Sequence, residues 1–359
     1  MHNRIKKTVL YILVLTAAVL LIVFSETAKS AAQDAVTLCL SRLVPALFPF
    51  FALSGFVSCS GCADDLGTVL GSVMYPLFGV SGKGALPLLL GFCGGYPVSA
   101  KTISEMYLRG EITKAEASRL LLFACNTGPA VIFGLCASAL FSSAKAGIIL
   151  YVIHILAAIL IGIFAKLFGG ACETGNSHVQ AKERKRFSVC FVSSVLNASE
   201  SMINVCAFVV IFSVILAIVK AFIPQGASAL LLTGLSELTS GLALLRDIAP
   251  DTTRAMCLAS LFIGFGGLCV YMQSASFIVP AGLSTLPYIT GKTLHGVLSC
   301  LITLLYMMYS KCTEAFSFTG QAVTKDFIFD YIGLFYSCAC FLAGILLLLR
   351  WKIKHRHDL

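Results

Sequence analysis

Glu237 stands in the middle of an apolar run, Ala227 to Leu245, with Ser236, Thr239 and Ser240 beside it. If that run lies in a bilayer, an ionised side chain there costs roughly 2.5–3.5 kcal/mol on insertion scales, so it is expected to face a cavity or a partner. A carboxylate among hydroxyls suits H⁺, Na⁺ or a polar group of a solute. The plainer alternative is a hydrogen bond that holds an interrupted helix together.

A second group lies in Gly91-Phe-Cys-Gly-Gly-Tyr-Pro-Val-Ser-Ala-Lys101. Gly91, Gly94 and Gly95 let backbone turn sharply and come close to a ligand. Tyr96 and Pro97 would fix the turn. Ser99 and Lys101 follow, and a helix beginning here would offer free N–H groups to an anion. Snorkelling is the alternative for Lys101, and close helix packing is the alternative for the glycines. A third group is Asn126, Thr127 and Gly128 before Pro129. A fourth is Gly264, Gly266 and Gly267, followed by Tyr271, Gln273 and Ser274. Asn126 and Gln273 read as ligand contacts or as interhelical hydrogen bonds.

The elements that hold these groups are set by composition. Of 359 residues, 58% are hydrophobic and 12% charged, and mean hydropathy is +0.92. A soluble domain carries about 25% charge, so an all-α polytopic membrane protein is expected. At about 20 residues per span, the length allows roughly eight to ten spanning or re-entrant segments. Backbone freed at a helix break cannot face lipid. Breaks within Gly91 to Lys101, Cys125 to Pro129, Gly234 to Gly241 and Gly264 to Gly267 therefore point to a shared, protein-lined chamber, the arrangement found at transport sites.

The order of elements repeats. Residues 1–30 read as an anchor helix, with a cleaved signal peptide as the alternative. Residues 31–168 form a first unit: a surface stretch, a helix carrying Pro45 and Pro49, the first break, a charged hairpin from Lys101 to Arg119, the second break, and a span from Gly147 to Phe168. Pro49 is expected to kink its helix. Thr113 and Glu116 read as a capping box. Residues 169–186 are a basic linker. Residues 187–310 repeat the plan, with Ser188 to Met202 as surface stretch and Ile203 to Ile223 as span. Residues 311–359 hold a last span, Phe327 to Leu349, and a basic tail.

The net charge of +9 gathers at the N-terminus, the linker and the tail. Each cluster borders an apolar run, which marks cytoplasmic loops rather than a nucleic-acid surface. The two units then enter from opposite faces, as inverted repeats do.

No catalytic or metal set appears. The chain lacks a zinc helix, a nucleophile elbow and a Walker loop, and Asp64-Asp65 reads as a loop pair without an intramembrane partner. Most of the 15 cysteines lie in apolar runs as small hydrophobes. Cys59-Ser-Gly-Cys62 reads as a loop or helix end, with a disulfide open if it faces outward. His154 and His295 each read as a lone histidine in apolar surroundings. Asn197-Ala-Ser199 matches a glycosylation triplet within an expected surface helix. The expected partners are a small solute and the bilayer, with a homo-oligomer open. No cofactor is expected beyond a coupling H⁺ or Na⁺.

The motifs Leu43-Val-Pro-Ala-Leu-Phe-Pro-Phe-Phe51, Gly91 to Lys101, and Asn126-Thr-Gly-Pro129 resemble the YlbJ (SpoVV) family of sporulation integral membrane proteins. The likeness runs from about Ala31 to Tyr309. The family is similar to the wider nucleoside-recognition, or Gate, group, and Gly234-Leu-Ser-Glu237 looks like the glycine-x-x-glutamate of nucleoside-transporter hairpins. The resemblance implies a secondary transporter that moves dipicolinic acid from the mother cell across the outer forespore membrane. Nucleoside transport and a non-transporting scaffold are the alternatives. The Cys125-Asn-Thr-Gly-Pro129 form departs from the polar runs usual in that family, which bears on the substrate rather than the fold.

Overall fold

The computed structural model describes residues 2–60, 62–172, 186–223, 226–248 and 252–317. These residues are helical throughout, with no strand among them. Helix α1 (His2–Val23) meets α2 (Ser25–Leu38) at a bend of 88°, so the expected surface stretch runs across the first helix. A π-helical turn, Cys39–Leu43, joins α2 to α3 (Val44–Ser60). α4 (Cys62–Phe78) turns by 91° into α5 (Ala85–Gly94). Pro49 and Pro76 sit inside α3 and α4, and neither ends its helix. Asp64 and Asp65 belong to α4, not to a loop.

α6 (Tyr96–Leu108) follows α5 after one residue, Gly95, whose φ of +98° suits only glycine. α7 (Lys114–Phe123) starts at the expected capping box, with Thr113 and Glu116 satisfying each other's backbone N–H groups. The connection between α6 and α7 is not the solvated hairpin that its charges suggest. Lys101 and Glu116 are buried, and Glu116 also accepts from the Ser81 N–H at 2.8 Å. After the second break comes α8 (Pro129–Val131), which runs on as a π-helix, Ile132–Leu140, and then α9 (Ala144–Gly169).

α10 (Phe187–Lys220) is one helix of 34 residues. The expected division into a surface stretch and a span does not exist, because no Gly or Pro lies between Phe187 and Lys220 to stop it. Asn197, Ser199 and Glu200 lie within that continuous helix. α11 (Ala227–Ser236) and α12 (Leu238–Ile248) are separated by Glu237. α13 (Thr252–Phe265) and α14 (Gly267–Ile278) are separated by Gly266, in the left-handed region at φ +84°. α15 (Leu286–Ser317) is the last described helix. Residues up to Leu304 form one compact unit. A second unit begins at Leu305, and only the end of α15 is described in it. The expected span from Phe327 to Leu349 and most of the basic linker lie outside the described residues.

Among the described residues, four helices are long and apolar enough to cross a membrane, or up to six when each bent pair counts as one span. The eight to ten spanning or re-entrant segments expected include residues outside those described. Leu294, Val297, Leu301 and Leu304 on α15 are exposed, as are Phe191, Leu196, Ile203 and Ile211 on α10. Apolar faces of this extent are solvated by lipid, not water.

The core is assembled by crossings. α3 and α2 lie along α10, α6 packs on α14, and α12 packs on the π-helix. Glycines permit the closest approaches. A Cβ on Gly91 would strike the Ala124 carbonyl, and one on Gly234 would strike the Phe262 ring. Gly91→Ala is expected to lower stability by about 1–3 kcal/mol through overpacking, read as a lower unfolding midpoint of the detergent-purified chain. Gly110→Ala meets no atom within 4 Å but carries its strain at φ +71°. It should cost less, which separates packing from backbone effects.

Candidate functional site

A cavity of about 460 Å³ lies where the interrupted helices meet. Gly94, Gly95, Tyr96 and Pro97 line it from the first break, and Thr127 and Gly128 from the second. Glu237, Leu238 and Thr239 line it from the third. Cys269, Val270 and Gln273 of α14, the helix that begins after the fourth, complete the wall. Gly134, Leu135 and Ser138 of the π-helix also reach it, and exposed Arg42 lies on its lining. Proline stands in the first turn of α6 and at the first residue of α8. There it fixes φ and removes an N–H that would have no partner.

The main-chain groups freed at the breaks are taken by side chains from other segments. The Ile263 carbonyl, before the fourth break, accepts from the Tyr96 hydroxyl and from Thr127 Oγ1, the latter at 2.8 Å. Thr127 Oγ1 also lies 2.6 Å from the Tyr96 hydroxyl. The Thr127 N–H donates to His154 Nε2 at 2.9 Å. The Cys125 carbonyl accepts from Lys292 Nζ. Ser99 Oγ donates to the Ala124 carbonyl at 3.1 Å, and the Asn126 amide donates to Phe123 and Ala124 at 3.0 and 3.1 Å. Tyr151 takes the Phe92 carbonyl at 2.9 Å.

Glu237 does both things its sequence position suggested. It caps α12, accepting from the Thr239 N–H at 2.9 Å, the Ser240 N–H at 2.6 Å and Thr239 Oγ1 at 2.7 Å. A carboxylate at a helix N-terminus is also favoured by the dipole. At the same time Glu237 lines the cavity while only 5% exposed. Gln273 lines the cavity as well, and its amide rests on Cys269 Sγ at 3.2 Å.

Seven residues read as site candidates stand off the cavity wall. Gly91 packs on Ala124, while Ser99 and Asn126 satisfy carbonyls behind the wall. Ser236 ends α11, Ser240 caps with its N–H, and Gly266 packs under the Tyr96 ring. Lys101 faces a different, polar cavity of about 320 Å³ between α6, α10 and α14. It donates there to Ser201 Oγ at 2.7 Å and to the Asn197 carbonyl at 3.1 Å, with Glu105 at 3.6 Å. Asn197 of the glycosylation triplet is exposed, and its backbone carbonyl takes part in this contact between α6 and α10. Cys59 forms a disulfide with Cys190 rather than with Cys62, which links α3 to α10.

The histidines correct the sequence reading most. His154 and His295 are not alone: their rings stack with centroids 4.3 Å apart. Lys292 lies beside them, with Nζ 3.0 Å from His295 Nδ1 and 5.1 Å from the centre of the Tyr96 ring. All three are buried. Lys292 escaped notice because a lysine near a helix start is ordinarily an interfacial side chain. No local signal connects it to residues more than 130 positions away.

Fold and site together define a helical integral membrane protein whose interrupted segments close on one internal cavity. The chain is 25% identical over 334 residues to the sporulation integral membrane protein YlbJ of Bacillus subtilis (strain 168). That match covers 82% of this chain and 81% of the relative, and it supports the YlbJ family. No family model and no solved structure matches the chain.

Cys93 tests the cavity without a substitution, being exposed and part of its lining, whereas Cys125 is buried. A charged thiol reagent followed by peptide mass spectrometry is expected to modify Cys93 and spare Cys125. Equal modification of both would contradict the wall described above.

Proposed function

We propose that this chain is a secondary transporter for a small polar or anionic solute, with dipicolinate the preferred candidate. The carrying observation is that interrupted helices from both halves of the chain bound a single cavity. Its volume falls within the roughly 300–1,000 Å³ of small-molecule sites. The relative's name adds sporulation and membrane integration. Under this reading the chain works in the outer forespore membrane and moves solute from the mother cell toward the forespore.

The wall suits an aromatic dianion. Tyr96 offers a ring, and Arg42 places positive charge on the lining. α6 and α14 point their N-termini toward the same space. Glu237 repels an anion, so it serves as a fixed counter-wall or a cation site.

Two inverted repeats account for the packing. In each half, the second part of the first broken segment packs on the second part of the other half's second broken segment: α6 on α14, and α12 on the π-helix. Gly91 approaches the chain just before the second break as Gly234 approaches it just before the fourth. α9 and α15, which follow those breaks, contribute one histidine each to the stacked pair. Such a pair of halves, rocking about a fixed site, is a known design for alternating access.

Labelled dipicolinate in proteoliposomes tests the reading. Saturable flux that nucleosides do not compete is expected. Glu237→Gln forfeits one charge-assisted hydrogen bond, worth about 1.5 kcal/mol, and should slow flux by about tenfold while the protein still inserts. Full competition by nucleosides would move the substrate class to nucleosides. No flux under any gradient, with inserted protein, would favour the scaffold alternative.

A further inference from the structure

Lys292 has no carboxylate partner among the described residues. Its contacts are the Cys125 carbonyl, His295 Nδ1 and the face of the Tyr96 ring. A buried lysine held this way has a neutral hydrogen-bonding neighbour on one side and an unwound carbonyl on the other. The titratable groups around it are Tyr96 from α6, Cys125 at the second break, His154 from α9 and His295 on its own helix. Tyr288, one turn earlier on α15, is engaged with Ser274 at 3.1 Å.

The hydrogen bonds assign the proton positions. His154 Nε2 accepts from the Thr127 N–H, so its proton sits on Nδ1, which is buried without a partner. His295 Nε2 lies 3.0 Å from the His154 carbonyl and must donate to it. That leaves His295 Nδ1 as an acceptor for Lys292, and one proton serves the pair. Either Lys292 donates to the imidazole or, with the proton passed across, the imidazole donates to the amine. A second proton leaves two donors facing each other 3.0 Å apart, both charged, with no acceptor between them.

We infer that Lys292 and His295 form a one-proton site behind the cavity wall, and that loss of that proton loosens the hold of Lys292 on the Cys125 carbonyl, since a neutral amine donates more weakly than an ammonium. That carbonyl belongs to the second break, whose Thr127 and Gly128 line the cavity. The charge state of the pair is thereby tied to the shape of the wall, and solute movement is tied to H⁺. The inference rests on the transporter reading for its consequence, though not for the site itself.

The test uses the full chain in liposomes loaded with a pH-sensitive dye, with dipicolinate as probe. Wild-type flux is expected to change at least fivefold when a pH gradient is imposed, with a matching change in internal pH. In Lys292→Met and in His295→Asn that dependence should vanish while downhill flux under no gradient remains. Wild-type flux that ignores the gradient overturns the proton site and leaves the transporter reading intact. No dipicolinate flux at all overturns the transporter reading instead. The site is then read directly by ¹⁵N-histidine NMR of the detergent-purified chain. A histidine ring signal that shifts with pH, in a way abolished by Lys292→Met, supports the pair. Spectra unchanged by pH or by that substitution overturn it.

Discussion

Main chain without helical hydrogen bonds must find partners inside the protein, because lipid offers none. This one requirement organises the molecule. The carbonyls of Phe123, Ala124, Cys125 and Ile263 would each be an uncompensated polar group in a dry interior. Asn126, Ser99, Lys292, Tyr96 and Thr127 meet them. Three of these links join opposite halves of the chain: Tyr96 and Thr127 reach Ile263, and Lys292 reaches Cys125. The interruptions thus hold the halves together as well as opening space between them.

The same bonds explain how polar and apolar material divide. The cavity lining is largely aliphatic and glycine-rich, with Tyr96, Thr127 and Glu237 as its hydrogen-bonded members, while Ser99, Asn126, His154 and Lys292 stand one layer back. Thr127 belongs to both layers, with its backbone on His154 and its hydroxyl on Tyr96. A disturbance at the wall therefore reaches the stacked histidines by two routes, through Thr127 to His154 and through Tyr96 and Lys292 to His295. Polar networks of this kind are costly when partly satisfied and rigid when complete. The unpartnered Nδ1 of His154 and Oδ1 of Asn126 mark where this one is incomplete.

The positions of the interruptions were legible in the sequence because glycine, proline and small polar residues inside apolar runs have few other uses. Gly95 and Gly266 are needed for their positive φ, and Pro97 and Pro129 start the helices that follow. Thr113 and Glu116 announced a helix start by local chemistry alone. Lys101 has a place that sequence alone does not assign, because a polar cleft between helices and an interfacial position ask for the same side chain. The polar stretch around Asn197 and Glu200 reads as a boundary within α10, whereas both residues line the polar cleft beside Lys101 on an unbroken helix. The meeting of His154, His295 and Lys292 depends wholly on tertiary packing, and lone polar residues on separate helices carry no spacing that reveals it.

The segment Ile132–Leu140 winds with one residue more in each bonded ring than an ordinary helix does. If its bonding tightened to the usual pattern, every side chain beyond the change would swing by about 100° around the axis. Gly134, Leu135 and Ser138 would then leave the chamber, and neighbouring faces would replace them, without any helix being unfolded. The space can accordingly trade small side chains for bulky ones through a local adjustment of pitch, leaving the surrounding scaffold where it is.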